Sequence, residues 1–148
     1  MTADLYWLTL TALMTAVFAV PYVTERILRV GMGSALGYSK ETGTGGFDQP
    51  VEKPAPWARR AHAAHRNAIE GLPILAALVL TAHIAGVDPG LAATAAKTYF
   101  LARLAHYIVY VAGIPVVRTL AFFVALASLF VIGYAILTTI GLTAAGHA

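Results

Sequence analysis

Three stretches of the chain carry no Asp, Glu, Lys or Arg: Leu5 to Thr24, Gly71 to Val87 and Thr119 to Gly146. Crossing a hydrocarbon layer about 30 Å thick takes roughly 20 mostly apolar helical residues. The pattern therefore predicts four membrane helices, three on these stretches and one on the mixed segment between the second and third. The first helix spans about residues 5–30, with a kink at Pro21 and with Glu25, Arg26 and Arg29 at its exit. The second spans 57–86, opened by Pro56 and closed by Gly86, since Pro suits a helix start and Gly a helix end. Val-Asp-Pro-Gly at 87–90 reads as a turn. The third helix covers 91–112, Gly113-Ile114-Pro115 breaks it, and the fourth covers 116–142. A sizeable loop, 31–56, is rich in Gly and Pro and carries Lys40, Glu41, Asp48, Glu52 and Lys53.

Composition points the same way. Of 148 residues, 59% are hydrophobic and 11% charged, whereas a soluble domain carries about a quarter charged residues. The mean hydropathy is +0.73. The expected fold class is all-α integral membrane: a single domain, 1–148, forming a bundle of four transmembrane helices. No length remains for a separate soluble catalytic domain, so any chemistry lies within or between the spans. Cysteine is absent, which removes disulfides, thiolate metal ligands and a protein thiol nucleophile. A reactive thiol has to arrive on a ligand. Metal ligation is not expected.

The net charge of +3 could suggest nucleic acid, but most basic residues flank apolar segments, where membrane topology puts them. Arg26, Arg29, Lys40, Lys53, Arg59, Arg60 and Arg118 collect on the side of the first and third loops, against Lys97 on the other. The positive-inside rule then places loop 31–56 in the cytoplasm and both termini outside. With Asp4 before it and no positive n-region, the first span reads as a retained helix rather than a signal peptide. Small residues (Ala63, Ala64, Ala76, Ala77, Ala92, Ala93, Ala95, Ala96) permit close helix approach, and so short a bundle is expected to oligomerise.

Ionisable groups at bilayer depth are costly and mark functional sites by default. In the second helix Asn67 and Glu70 share a face, and Arg66 pairs in register with Glu70. Two readings of Glu70 stand: a structural pair with Arg66, or the partner of a cationic ligand group. Arg59, Arg60 and Arg66, taken singly, read as interfacial anchors whose stems snorkel; His62, His65 and His83 read as interfacial too. In the third helix Tyr99, Arg103, His106 and Tyr110 recur at intervals of four, three and four, drawing one polar stripe. Either Arg103 neutralises an acid across the interface, or it belongs to an anion site with Arg118 and with Arg26 or Arg29. The surplus of guanidinium over buried acid suits a ligand carrying carboxylates.

His65-Arg66-Asn67-Ala68-Ile69-Glu70-Gly71-Leu72-Pro73 and Arg103-Leu104-Ala105-His106-Tyr107-Ile108-Val109-Tyr110, followed by Arg118, resemble the second- and third-helix patterns of the membrane-associated proteins in eicosanoid and glutathione metabolism (the MAPEG family), of bacterial type. Length and the long first loop agree, and the resemblance covers nearly the whole chain. It implies a homotrimer in the inner membrane with glutathione, as co-substrate, bound between subunits near the cytoplasmic side. Carried over by position, Asn67, Glu70, Arg103, His106 and Tyr110 would line that pocket. Glu70 would meet the ligand's amino group, and the arginines its carboxylates, with Arg29 and Arg60 as further anchors. Arg118 would sit by the sulfur, with Tyr110 and Thr119 completing the catalytic set; a guanidinium beside a thiol favours the thiolate nucleophile. The second substrate would be a lipophilic electrophile or hydroperoxide entering from membrane lipid. Many members carry Arg four residues before the helix-two Asn, where this chain has Ala63.

The resulting function is a glutathione-dependent membrane transferase or peroxidase. The alternative is a non-catalytic lipid-binding or scaffold protein of the same fold. A haem carrier using His65, His83 or His106 is a third class, disfavoured because these histidines are expected at different depths.

Overall fold

The computed structural model describes residues 2–32 and 54–145. Residues 33–53 of the expected cytoplasmic loop lie outside the described residues. The elements are α1 (Ala3–Val17), α2 (Val20–Val30), α3 (Pro56–Ile84), α4 (Pro89–Ala112) and α5 (Pro115–Ala145). Three helical stretches are long and apolar enough to cross a membrane: Ala3–Arg29, Pro56–Ile84 and Pro115–Leu142.

The first helix, expected as one piece kinked at Pro21, is divided at Phe18–Ala19. Pro21 has no N–H to offer the carbonyl one turn earlier, and its ring crowds that carbonyl. The interruption therefore falls N-terminal to the proline. The Phe18 carbonyl accepts from the Tyr107 hydroxyl at 3.0 Å, and the Phe18 and Tyr107 rings stack at 3.8 Å. α2 is tied to α3 at its far end. The Glu25 carboxylate accepts from the backbone N–H of Ala55, the N-cap of α3, and also pairs with Arg29. An acid at a helix N-terminus meets the positive end of the dipole.

α3 begins at Pro56 and runs through Pro73 without a break. Interior prolines are tolerated in membrane helices because neighbouring groups can satisfy the freed backbone. α4 is capped at both ends. The Asp88 carboxylate accepts from Leu91 N–H at 2.7 Å, and Gly113 takes a left-handed φ of +81°. That conformation lets the Gly113 and Ile114 N–H groups return to the Tyr110 and Val109 carbonyls, the usual way a helix closes on glycine.

α4 is the interior helix, packed against α1, α3 and α5. Its buried residues are Ala92, Ala95, Ala96, Tyr99, Ala102, Arg103 and His106. The first five meet Leu75, Val79 and Ala82 of α3 and Ala125, Leu129, Ile132 and Ile136 of α5 in the core. Alanines on α4 let three neighbours approach closely, as membrane packing favours. The outward faces carry bare large apolar side chains, among them Leu28, Ile84, Phe130 and Leu137. Such extensive apolar exposure suits lipid as solvent.

Candidate functional site

At the Arg118 end of the bundle, α3, α4 and α5 line an open cleft of about 670 Å³. α3 supplies His62, Ala63, Arg66, Asn67 and Glu70; α4 supplies His106 and Tyr110; α5 supplies Arg118, Thr119, Phe122 and Phe123. The α3 positions recur at three- and four-residue intervals, so one helix face presents them together.

The α4–α5 turn positions the second half of the site. Gly113 closes α4, Pro115 opens α5, and the Arg118 N–H bonds the Ile114 carbonyl. The Arg118 guanidinium then lies over the Tyr110 ring, 4.5 Å from its centroid, a cation–π arrangement. His106 stands edge-on to Tyr110 at 5.5 Å and tilted to Phe122 at 6.3 Å. Thr119 bonds its own helix through the Pro115 carbonyl.

Among the described residues lining the cleft, Glu70 is the single carboxylate, and it shares the lining with the guanidiniums of Arg66 and Arg118. Glu70 and Arg66 approach at 3.9 Å with side chains 63% and 73% exposed. So loose and open a pair does not satisfy either charge. The cleft carries an excess of positive charge and one carboxylate open to a ligand.

Asn67, Glu70, His106, Tyr110, Arg118 and Thr119 are thus brought together. Arg103 is not in the cleft. It is 4% exposed and lies behind it, where Nη1 donates to the Asn67 side-chain oxygen at 2.8 Å. It borders a second chamber of about 220 Å³ with Tyr99, Gly71, Asn67 and Glu70. Arg29 and Arg60 do not line either space. Arg29 pairs with Glu25, and Arg60 donates through Nε to the Val111 carbonyl at 2.8 Å. Arg60 thereby caps the C-terminus of α4, beneath Gly113, where a cation suits the helix dipole.

The sequence marks Arg66 as an interfacial anchor and as the i,i+4 partner of Glu70, the pair found here, but not as a residue of the ligand site, and it does not single out Phe122 and Phe123. Counting back and forward from Asn67 and Glu70 at helical spacing would have added His62 and Arg66; nothing in the α5 sequence separates its lining phenylalanines from its lipid-facing ones. A second omission is Asp4. It is 2% exposed and bonds His83 Nδ1 at 3.2 Å, clasping the start of α1 to the end of α3. The three histidines considered as haem ligands have separate surroundings: His65 bonds the Tyr22 hydroxyl, His83 bonds Asp4 and His106 faces the cleft. Among the described residues no cluster of three or more His, Cys, Asp or Glu could hold a metal ion.

A search of curated proteins found no match to this chain. The sequence does match the MAPEG family over residues 4–138, a span that takes in both halves of the cleft and every described helix in whole or in large part. The chain, an integral membrane protein whose described elements are all helices, belongs to the MAPEG family.

Proposed function

We propose that the protein is a glutathione-dependent transferase or peroxidase that activates the glutathione thiolate toward lipophilic electrophiles or hydroperoxides. The observation that carries this reading is the charge balance of the cleft: Arg66 and Arg118 against one exposed carboxylate, Glu70. Glutathione at neutral pH has two carboxylates, one ammonium and a thiol. Its ammonium matches Glu70 and its carboxylates match the surplus guanidinium. The family includes glutathione transferases and peroxidases alongside other members.

In this arrangement Asn67, Glu70 and Arg66 hold the tripeptide. Arg103 acts on it through Asn67. Arg118, held over Tyr110, sits by the sulfur with Thr119, and its charge stabilises the thiolate over the thiol. Phe122 and Phe123 give the lipophilic partner an apolar wall.

α4 is proposed as a fourth span. Its 24 residues extend about 36 Å at 1.5 Å per residue, and its charged Arg103 is screened from lipid by its neighbours. A homotrimer is proposed because Glu70 and Arg66, both within the apolar helix Pro56–Ile84, stand exposed on a protomer, and contact of such charges with lipid would cost several kcal/mol; a neighbouring subunit covering the cleft removes that exposure. The charge count supports loop 31–56 on the cytoplasmic side and both termini outside, in a bacterial inner membrane. The non-catalytic reading is favoured by one feature, Ala63, which leaves the cleft wall without a cation at that position.

The test uses purified protein in detergent with glutathione and 1-chloro-2,4-dinitrobenzene. Saturable glutathione binding by calorimetry and turnover above background are expected. Arg118→Ala should lower kcat/KM about a hundredfold, the usual loss when one charge-stabilising donor is removed. Lys97→Ala should not, because Lys97 lies over the Trp7 ring away from the cleft. Neither binding nor turnover in the wild type would reject the enzymatic reading; binding without turnover would favour the non-catalytic one.

A further inference from the structure

The break between α1 and α2 is held by side chains from other helices. The Ala19 N–H bonds the Ala16 carbonyl, three residues back rather than four. From α3 the His65 ring bonds the backbone of Thr15, and from α4 the Tyr107 hydroxyl bonds the Phe18 carbonyl. One turn beyond the break, the half-buried Tyr22 packs on α3. Its hydroxyl meets His65 Nδ1 at 2.9 Å, and its ring stands edge-on to His62 with 5.0 Å between centroids. His62 and His65 are three residues apart, so one face of α3 offers both rings to Tyr22. His62 has a second role. It lines the cleft beside Ala63 and Arg66, whereas Tyr22 does not line it. The two cleft histidines are thus steadied differently. His106 stands against Tyr110 and Phe122, which line the cleft with it. His62 is exposed and meets the Tyr22 ring from outside the cleft. An exposed side chain samples several rotamers, and binding that needs one of them carries the cost of fixing it. A neighbour that fixes the rotamer beforehand removes that cost.

We infer that Tyr22 is a positioning residue for the ligand of the cleft: its ring presets the His62 side chain, and its hydroxyl bond to His65 seats α2 on α3. For the identity of the ligand the inference rests on the glutathione reading above. The His62 imidazole brings a nitrogen donor to a wall where Ala63 has none, and glutathione brings carboxylates that accept one. Because His62 touches both α2 and the cleft, the seating of α2 and the occupation of the cleft form one coupled equilibrium. Such coupling is reciprocal. Glutathione steadies α2 as much as α2 favours glutathione. Neither Tyr22 nor His62 serves the sulfur, which that reading gives to Arg118, so binding responds and the chemical step does not.

The experiment measures the glutathione Kd by calorimetry, together with kcat and the glutathione KM for 1-chloro-2,4-dinitrobenzene, on purified protein in detergent. Tyr22→Leu removes the ring and should raise Kd and KM about three- to tenfold, the effect of freeing one side chain, with kcat little changed. Tyr22→Phe keeps the ring and should recover most of that affinity, even as loss of the hydroxyl lowers Tm. Tyr22→Leu introduced into His62→Leu protein should leave Kd where His62→Leu alone puts it, because the two residues act as one unit. An unchanged Kd in Tyr22→Leu, no recovery in Tyr22→Phe, or an equal further rise in the His62→Leu background overturns the inference and leaves the glutathione reading intact. Amide exchange on the wild type tests it without any variant. Bound glutathione should slow exchange at residues 22–26, and unchanged exchange there overturns the inference. A wild type that binds no glutathione overturns both this inference and the reading on which it rests.

Discussion

Arg103 and Asn67 are joined across the α3–α4 interface by a 2.8 Å hydrogen bond from Nη1 to the amide oxygen. The bond fixes a cleft residue by means of a guanidinium that the cleft does not touch. Hydrogen bonds to charged groups contribute about 1.5–3 kcal/mol. Asn67→Leu should therefore lower the detergent Tm by several degrees, whereas Asn67→Asp, which restores an acceptor and adds a charge, should keep most of the stability. Equal losses in the two variants would show that the amide oxygen is not what Arg103 needs.

Gly71 and Tyr99 form a second close approach between the same helices. A methyl at Gly71 meets the Tyr99 hydroxyl, so Gly71→Ala should cost about 1–3 kcal/mol by overpacking. Tyr99→Phe removes the atom in the way. The double variant should regain stability relative to Gly71→Ala alone, a coupling read from the melting temperatures of the four proteins. Additive effects would contradict the contact.

Arg60 and Gly113 hold the turn that leads to Arg118. Gly113→Ala places a side chain at φ +81°, which costs about 1–2 kcal/mol. Arg60→Ala strips the Val111 carbonyl of its donor. Both should speed amide hydrogen exchange across the α4–α5 turn and leave the α1–α3 contacts slow to exchange. If Arg60 touched ligand instead, Arg60→Ala would weaken glutathione binding without changing exchange at the turn.

Asp4 and His83 join the start of α1 to the end of α3 through a 3.2 Å contact. Asp4→Leu should loosen the first turn of α1, seen as faster exchange there and a stability loss of about 1–2 kcal/mol. Turnover should be little affected, because the clasp lies at the end of α3 remote from the cleft. Protection of α1 equal to wild type would mean that apolar packing alone holds this end.

Parts of the site could be read along one helix. Asn67 with Glu70, and His106 with Tyr110, stand at helical spacing, so their shared faces follow from backbone geometry. The location of Arg103 was not readable in this way. It belongs to the same stripe as His106, yet one turn separates a residue in the open cleft from one sealed behind it, and the neighbouring helices make that difference. Arg60 and Arg66 show the same limit. Arg60 was expected as an anchor and, by resemblance, at the ligand, and Arg66 as an anchor or the partner of Glu70; Arg60 turns to the end of α4, and Arg66 lines the cleft beside Glu70.

The sequence alone determined that the chain is helical and immersed in lipid. Uncharged runs long enough to cross a bilayer, glycine and proline at helix ends, and the absence of cysteine are local properties that need no neighbour to act. The tertiary structure decided which polar groups meet. α4 became the interior helix because its alanines admit three neighbours, and that placement left Arg103 one partner and one unsatisfied nitrogen. Charge pairing depends on separations of a few ångströms between residues far apart in the chain, and only the packing of helices sets those distances.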